Sequence, residues 1–456
     1  MAVIVIGAGP AGTRAAERLV KDGIRPVVID ESERQGGQIY RRQPDNFRRP
    51  PSALYGSEAG KAVALHRDFE ALRPQIDYRP NTLAWGVRPG TLLTVSGDSV
   101  EEVAYDQMII ASGATDRIMP FPGWTVPGVF SLGAAQIALK AQACAIGSAP
   151  VFLGTGPLLY LVAWQYLKAG VAVQGILDTS SFRQRVFALK QLAARPRTLI
   201  QGMRYLADLK RARVRVETGI VPLRVDAKDG RVAGIAWRDR SGREQLTHAD
   251  ALGMGYGLRS ETQLADLLKC DFSFDARARQ WLPTVDMDGR SSVRGVYLAG
   301  DGALVRGADA AELAGVLAAC AALADAGRAV PGHEMQALRD KLVPMSRFRN
   351  GLEAGFPWPS ALAATIPDET MVCRCEGVTA GDIRHAAKGL DAPELNRAKS
   401  LMRPGMGRCQ GRMCGLAAAE ILAAARGVSV EAVGRLRGAA PVKPLPITAR
   451  LPDSVA

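Results

Sequence analysis

Four cysteines near the C-terminal end are the side chains whose type and spacing point most directly to chemistry. One residue separates Cys373 from Cys375, four separate Cys409 from Cys414, and thirty-three lie between the two pairs. Thiolates spaced in this way can converge on one soft metal centre, and the glycines around the second pair let backbone N–H groups approach cluster sulfurs. The pattern therefore favours an iron–sulfur cluster. Structural zinc is the alternative, although its paired cysteines are usually spaced by two to four residues.

The remaining cysteines and the histidines carry weaker signals. Cys144, Cys270 and Cys320 stand alone in apolar sequence and are expected in the core. The sequence has no Cys-x-x-Cys pair, the usual redox-active arrangement, and its four histidines are isolated from one another. No nucleophile–base pair and no group of carboxylates predicts substrate chemistry. The sequence therefore indicates a chain built for electron transfer.

A glycine-rich turn at the start of the chain predicts a dinucleotide-binding site. The strand-like run from Val3 to Ile6 leads directly into GAGPAG, which opens a helix. Glycines in such a turn let the backbone meet a pyrophosphate at the helix N-terminus. Asp30 ends the next strand, where its carboxylate can accept ribose hydroxyls, and Glu31 is the alternative acceptor. The residues predicted to form the turn are Gly7, Gly9, Pro10, Ala11 and Gly12.

A second strand–turn–helix–strand unit begins at residue 151. Its turn contains Gly154 and Gly156, but Leu159 replaces the third glycine, and this bulk pushes the helix away from the strand. Asp178 is placed to hold an adenosine ribose and would disfavour a 2′-phosphate. Two interpretations stay open, a site for NAD or another adenine nucleotide and an empty structural relic.

The order of these units predicts an α/β fold with two nested Rossmann-like dinucleotide-binding domains and a small helical C-terminal domain. We expect the first domain at residues 1–120 and 251–330, with the second, NAD-type domain inserted at residues 121–250. A linker at residues 331–366, an iron–sulfur domain at 367–428 and a tail at 429–456 complete the prediction.

Composition limits the classes of function. The chain has 456 residues and a net charge of +13, yet its arginines are scattered without interleaved aromatics, so no nucleic acid partner is expected. The charge fits anionic cofactors, a membrane surface or an acidic partner subunit. Seven cysteines at irregular spacings, with a strand at the very start instead of a signal peptide, predict a cytoplasmic protein. The most apolar stretch is broken by glycine and proline and is not expected to span a membrane.

Together with the glycine turn, the segments GGQ at residues 36–38, YDQMIIASGA at 105–114 and GVYLAGDG at 295–302 resemble motifs of the two-dinucleotide-domain flavoproteins of the disulfide-reductase type. This resemblance covers most of residues 1–330. The resemblance implies FAD, with Asp301 bound to the ribityl chain. The helix that starts near Ala308 would then point its positive N-terminus at the flavin pyrimidine. Besides the glycine turn, the flavin-binding residues that the resemblance implies are Asp30, Glu31, Gly37, Gln38, Ala111, Ser112, Gly113, Gly300 and Asp301.

The segments GGQIYR, PGWTVPG and CQGRMC carry a second, narrower resemblance that spans nearly the whole chain. They resemble the flavoprotein alpha subunits of bacterial opine oxidases, hydrogen cyanide synthase and heteromeric proline or hydroxyproline dehydrogenases. The last of these segments, CQGRMC, resembles the bacterioferritin-associated-ferredoxin (BFD) type of [2Fe–2S] domain, although its cysteines are further apart than in the stand-alone protein. The cluster ligands implied are Cys373, Cys375, Cys409 and Cys414.

The resemblance implies a function that no motif shows by itself. A separate beta subunit with its own FAD would oxidise an amine, an opine or an amino acid, and this chain would pass the electrons to an acceptor such as a quinone. Further features that the resemblance allows are FMN at a subunit interface, a position on the inner face of the membrane and a small third subunit. Two alternatives are a self-sufficient NADH-dependent flavin and iron–sulfur reductase and a non-catalytic iron–sulfur docking protein.

Overall fold

The structure is a computed structural model that describes residues 1–47 and 49–450, so the end of the predicted tail lies outside the described residues. The strands are β1 (Val3–Ile6), β2 (Val27–Ile29), β3 (Asp77–Arg79), β4 (Thr82–Arg88), β5 (Thr91–Ser96), β6 (Ser99–Ala104), β7 (Gln107–Ile110), β8 (Ala114–Asp116), β9 (Val129–Ser131), β10 (Pro150–Thr155), β11 (Gly175–Asp178), β12 (Arg215–Thr218), β13 (Val221–Lys228), β14 (Arg231–Arg238), β15 (Glu244–His248), β16 (Ala251–Tyr256), β17 (Leu258–Ser260), β18 (Phe272–Asp275), β19 (Gln280–Pro283), β20 (Val296–Leu298), β21 (Met371–Cys373) and β22 (Val378–Thr379). The helices are α1 (Pro10–Lys21), α2 (Pro51–Tyr55), α3 (Ala59–Leu72), α4 (Leu132–Ala141), α5 (Pro157–Lys168), α6 (Phe182–Leu192), α7 (Pro196–Arg211), α8 (Gln263–Leu267), α9 (Ala308–Asp325), α10 (Gly332–Gly355), α11 (Leu362–Thr365), α12 (Ala380–Lys388), α13 (Leu395–Met402) and α14 (Gly415–Arg426).

The first sheet is parallel throughout, with its strands in the order β20-β7-β1-β2-β3. All four side chains of β1 are buried, which fits a strand covered by helices on both faces. The alanine-rich α9 packs closely on α1 and shares a hydrophobic core with it. Since β20 comes from late in the chain, the two halves of this domain flank an insertion, as the fold prediction required.

The second sheet is also parallel, in the order β12-β11-β10-β16-β9. β16 pairs with β10 along its whole length, from Ala251 opposite Pro150 to Tyr256 opposite Thr155. The inserted domain therefore extends through β16, and the chain returns to the first domain after Tyr256, later than the predicted boundary at residue 251. A short antiparallel ribbon of β8 and β17 joins the two domains.

Residues 331–366, predicted as a linker, are mostly helical. The 24-residue α10 fills most of this segment and packs against α6, where Phe348 meets Ala188 and Leu192 in a small hydrophobic cluster. The helix therefore lies against the inserted domain, and the short segment between α10 and α11 is the part without regular structure, as expected of a linker.

The C-terminal cysteine domain combines the β21–β22 hairpin with α12, α13 and α14. Its core is continuous with that of the inserted domain, and the Trp124 indole N–H donates a 2.6 Å hydrogen bond to the Met371 carbonyl. Beyond α14 the chain crosses to the first domain, where the Val442 N–H donates to the Trp85 carbonyl. The cysteine domain is thus packed on the flavoprotein body.

The isolated cysteines differ in exposure. Cys270 and Cys320 are buried as expected, but Cys144 is exposed, so the prediction of a core position is wrong for that residue. The reason is that Cys144 lies in the connection between α4 and β10, outside the sheet and its covering helices. Across residues 1–47 and 49–450, no helix has both the length and the hydrophobicity that crossing a bilayer requires.

Candidate flavin and iron–sulfur sites

The glycine turn forms at the carboxyl end of β1, where α1 begins at Pro10. A Cβ atom added at Gly12 would lie 1.7 Å from the Gly7 carbonyl oxygen, so only glycine allows α1 to pack this closely on the turn. Ala11 is buried beneath the helix start. The first turn of α1 carries no acidic side chain, which leaves its positive end suited to a pyrophosphate.

Asp30 lies beside the glycine turn, buried at the end of β2. Its Oδ2 accepts a 2.5 Å hydrogen bond from the Ala8 N–H, and its Oδ1 accepts one of 2.7 Å from the Ser32 N–H. Burial raises the pKa of Asp30, and these two N–H groups partly offset that effect. A carboxylate oxygen can accept more than one hydrogen bond, so a ribose hydroxyl can still be bound here. Glu31, by contrast, is exposed and paired with Lys443.

The second predicted flavin segment lies against the turn. The Gly36 N–H donates a 2.9 Å hydrogen bond to the Ala8 carbonyl, and Gly37 approaches the backbone of Gly9. Gln38 is exposed, with its Oε1 accepting a hydrogen bond from Arg41. The structure therefore brings Gly37 next to the predicted pyrophosphate-binding turn, with Gln38 exposed at the edge of that site.

The remaining flavin residues follow β7 and β20, two neighbouring strands of the first sheet. Ser112 and Gly113 lie just after β7 in the chain. Gly302 packs against them, so closely that a Cβ atom added at Gly302 would lie 2.7 Å from Ser112 Oγ. Asp301 Oδ1 accepts hydrogen bonds of 2.8 and 3.0 Å from the N–H groups of Arg306 and Gly307, just before α9. Burial raises the pKa of Asp301.

These groups fit FAD. Within residues 1–47 and 49–450, Asp301 Oδ2 receives no hydrogen bond, so this oxygen can accept one from a ribityl hydroxyl. With FAD bound, the glycine turn would contact the pyrophosphate, Asp30 the ribose and Asp301 the ribityl chain. Ala111 immediately follows β7, Gly300 comes two residues after the end of β20, and both are buried.

The four predicted cluster ligands come together from two separate parts of the cysteine domain. Cys373 ends β21 and Cys375 lies in the turn after it, whereas Cys409 and Cys414 lie between α13 and α14. The thiol of Cys414 contacts those of Cys373 and Cys409, and Cys409 also contacts Cys375. The sequence prediction that these sulfurs converge therefore agrees with their placement.

The environment of the sulfurs favours thiolates at two positions. The contact with Cys414, together with backbone N–H groups, lowers the pKa of Cys373 to about 6 and that of Cys409 to about 5. The pKa of Cys414 is raised, because its thiol faces both neighbours and is buried. Thiolates that accept N–H hydrogen bonds are the donors that iron–sulfur clusters use.

The number and type of these side chains meet the ligand requirement of a [2Fe–2S] centre. The sulfur contacts link Cys373 to Cys414, Cys414 to Cys409 and Cys409 to Cys375. In a [2Fe–2S] centre each iron takes two thiolates, so four cysteines in contact supply the full set. The two cysteine segments pack closely where Gly407 meets Cys375. A Cβ atom added at Gly407 would lie 2.2 Å from Cys375 Cβ.

The second cysteine segment is held against the flavin domain by polar contacts. Arg412 pairs with Glu261 through bonds of 2.6 and 3.2 Å, and the Arg259 guanidinium donates to the carbonyls of Gly411 and Arg412. The Glu261 backbone in turn bonds the flavin segment, accepting 2.7 Å from Ser112 Oγ and donating 3.0 Å to the Gly113 carbonyl. One residue thus contacts both predicted cofactor sites.

The predicted second nucleotide site has the expected glycine turn, but its carboxylate is already hydrogen-bonded to other residues of the protein. Gly154 and Gly156 both adopt positive φ angles, at +144° and +104°, where β10 leads into α5. Asp178 is completely buried, and its two oxygens accept hydrogen bonds from the Tyr160 hydroxyl, Arg185 and both the N–H and the hydroxyl of Ser180. A ribose could reach this carboxylate only if Arg185 or Tyr160 moved. The nucleotide assignment here stays a prediction.

The segment after α10 lies across the same edge of the second sheet. The ring of Phe356 lies 4.9 Å from the Arg185 guanidinium, beside the end of β11. The ring of Trp358 lies 6.0 Å from that of Tyr256 at the end of β16, and 4.4 Å from the Arg117 guanidinium. Nucleotides in open parallel sheets bind at this carboxyl edge. Side chains of the chain itself therefore cover part of the surface that a nicotinamide nucleotide would need.

Comparison with known proteins agrees with this architecture. Residues 1–321 match the model of the pyridine nucleotide-disulphide oxidoreductase family, and residues 371–424 match the BFD-like [2Fe-2S] binding domain. The chain therefore belongs to the pyridine nucleotide-disulphide oxidoreductases that carry an added BFD-like domain, and within them to the family of opine oxidase A subunits. The matched models imply FAD and a [2Fe–2S] cluster, so the predictions of fold class, family and these two cofactors are confirmed.

The relatives that define the narrower family extend over nearly the whole chain. The opine oxidase A chain of Rhizobium meliloti is 38% identical, over 99% of this chain and 88% of its own length. The HcnB chain of hydrogen cyanide synthase from Pseudomonas aeruginosa is 31% identical, over 98% and 97%. The crystal structure of L-proline dehydrogenase from P. horikoshii shares the fold, with a TM-score of 0.70 and 18% identity over 98% of this chain and 78% of that one. By family, the chain is thus a flavin-dependent oxidoreductase.

Proposed function

We propose that this chain is the electron-transfer alpha subunit of a heteromeric dehydrogenase. Its partner would be a beta subunit with its own FAD, which oxidises the C–N bond of an opine, a secondary amine or an amino acid such as proline or hydroxyproline. The observation that supports this most directly is the contact of Glu261 with both Arg412 and the Ser112–Gly113 segment. That contact holds the cluster domain against the flavin domain within one polypeptide.

Each cofactor has a defined task in this proposal. FAD, when bound, exchanges electrons in pairs or singly, and a thiolate-held [2Fe–2S] centre takes them one at a time. The glycine turn, Asp30 and Asp301 would hold and orient the flavin. The proposed cluster ligands are Cys373, Cys375, Cys409 and Cys414.

The surrounding assembly belongs to the same proposal. Two relatives, the A chain of opine oxidase and the HcnB chain of hydrogen cyanide synthase, are named as subunits of larger enzymes, which supports a complex with other chains. A quinone is the proposed acceptor, and further proposed components are FMN at a subunit interface and a small third subunit. We place the complex in the cytoplasm, at the inner face of the membrane.

Co-expression with the product of the neighbouring gene tests the function. The purified complex is mixed anaerobically with octopine, nopaline, proline and hydroxyproline in turn, and flavin bleaching is recorded. We expect one substrate class to bleach the flavin of the complex but not that of the isolated chain. Steady reduction of the isolated chain by NADH would instead support the reductase alternative. Absence of bleaching by every substrate in the intact complex would support the docking alternative.

A further inference from the structure

Helices α6 and α7 expose an unusual number of large apolar side chains. Phe187 is 77% exposed, Phe182 61% and Met203 54%. Most large apolar residues of a folded domain are buried, and a contiguous exposed group marks a surface that contacts something other than water. The other exposed apolar side chains of these helices are Val186, Leu189 and Ile200.

The exposed apolar face of α6 is separate from the face that packs against the protein. Ala188 and Leu192 meet Phe348 of α10, and Leu199 of α7 joins the same cluster. Phe182, Val186 and Leu189 follow the spacing i, i+4, i+7 and therefore form a stripe along the solvent side of the helix. The helix is anchored through one face, so its second apolar face is not needed for folding.

Positive charge is concentrated in the same segment. Residues 181–213 contain nine basic residues and one acidic residue, a net charge of +8 out of +13 for the whole chain. The acidic residue, Asp208, is already bound by Trp164, Lys168 and Arg211. Six exposed basic residues of this segment form no ion pair with any residue in 1–47 or 49–450, namely Arg183, Lys190, Arg197, Arg204, Lys210 and Arg213.

We propose that the solvent face of α6 and α7 binds the surface of an anionic lipid bilayer. Phe182 and Phe187 would enter the interfacial layer, while Arg183 and Lys190 would face the lipid phosphates. Exposed apolar side chains beside unpaired Lys and Arg are the combination found in helices that lie in a membrane interface. The net charge of +8 in this segment favours an anionic bilayer as the occupant, since each Lys or Arg near such a surface adds to the attraction. This inference rests on the proposed function, which gives membrane binding its purpose. A quinone acceptor is lipid-soluble, so a chain bound to the bilayer surface can reach it.

Vesicle flotation of the FAD-loaded full chain tests this proposal. Vesicles of equal parts phosphatidylglycerol and phosphatidylcholine are compared with vesicles of phosphatidylcholine alone, at low and high salt. We expect binding to the anionic vesicles, weakened by salt because the charges are exposed. The double variants F182D/F187D and R183E/K190E should each lower partitioning by about tenfold or more. The matched controls are M287D, at a side chain 71% exposed elsewhere, and K228E/R231E at the β13–β14 turn, and both should bind like wild type.

Three results would overturn the proposal. In the first, the wild type fails to bind anionic vesicles at low salt. In the second, F182D/F187D binds vesicles as well as the wild type does. In the third, F182D/F187D no longer self-associates or no longer binds the partner subunit, while its vesicle binding is unchanged. Retention of FAD absorbance and of helical circular dichroism confirms that each variant is folded. Amine-dependent flavin bleaching by the complex is measured without vesicles, so failure of the membrane proposal and failure of the proposed function give different results.

Discussion

Glu261 and Arg412 form a two-point ion pair, at 2.6 and 3.2 Å, between the segment that leaves the second domain and the loop that carries Cys409 and Cys414. Both side chains are largely buried, at 13% and 10% exposure. Arg412 also donates a 2.5 Å hydrogen bond to the Val442 carbonyl, so three separate parts of the chain meet at this guanidinium. The pair fixes the cysteine loop relative to the flavin segment.

Replacing Glu261 by Gln should destabilise this junction. The Arg412 guanidinium would lose its charge partner while it stays largely buried, and we expect a loss of about 2 kcal/mol in the free energy of unfolding. Chemical denaturation of the FAD-loaded protein measures the change. Glu102→Gln is the matched control, because its pair with Arg88 is exposed and should cost less than about 1 kcal/mol. Equal effects of the two substitutions would contradict the role of the pair.

Cys409→Ser should remove the cluster and leave the flavin. A serine hydroxyl is a poor replacement for a thiolate that bonds iron, so visible cluster absorption and iron content should be lost while the FAD content is kept. Cys144→Ser serves as the control, since this exposed cysteine lies outside the cysteine domain. Unchanged iron in Cys409→Ser, or zinc at these sulfurs after anaerobic preparation, would contradict the cluster assignment.

Gly12→Val should abolish FAD binding. The added Cβ would lie 1.7 Å from the Gly7 carbonyl oxygen, which forces the turn and α1 apart. The ratio of flavin to protein absorbance after purification measures the loss. Gly60→Ala is the control, because this α3 glycine has open space around it and alanine favours a helix. Full FAD content in a folded Gly12→Val protein would be the contrary result.

Lys140 provides a test by pH. It is buried, with Nζ donating a 3.1 Å hydrogen bond to the Ile39 carbonyl, and burial lowers the pKa of its ammonium group to about 8. An unfolded lysine has a pKa of about 10.4, so the unfolded chain binds more protons between these values and stability rises with pH there. The stability of wild type relative to Lys140→Met should increase by up to about 3 kcal/mol between about pH 8 and pH 10. A difference that is flat with pH would show that Lys140 is not held in this environment.

NADH should fail to stabilise the isolated chain. The Asp178 carboxylate is fully bonded inside the protein, and Phe356 and Trp358 cover part of the sheet edge beside it. A ligand that binds the folded state raises the thermal midpoint with its concentration, so a titration with NADH should leave the midpoint unchanged. Added FAD is the positive control on protein stripped of flavin. A midpoint that rises with NADH concentration would contradict this prediction.

Local patterns predicted the parts of the sites that are built from neighbouring residues. The glycine turn and Asp30 at the end of β2 follow from spacing along one strand–turn–helix–strand unit, and the helix beginning at Ala308 follows from an alanine-rich run after a buried strand. The cysteine pairs were recognisable because soft-metal ligands are rare and closely spaced. In each case the physical constraint acts within a few residues of chain.

Contacts between residues that are far apart in the sequence leave no recognisable local pattern in it. Glu261 and Arg412 are 151 positions apart, and neither residue type is unusual where it stands. The assignment of β16 to the second sheet depends on its register with β10, which an apolar run such as ALGMGY does not reveal. The packing of α10 on α6 likewise depends on Phe348 finding a small cluster far away in sequence. One sequence contains these partners but does not indicate that they meet.

Leu436 lies against Gly405 and Gly411 beside the cysteine loop, and Val442 is buried against the first domain. Both residues come after all four cysteines in the chain, so this segment must fold back before the cysteine loop has its full set of packing contacts. The stability of the loop is thereby coupled to a stretch of chain that supplies no sulfur ligand itself.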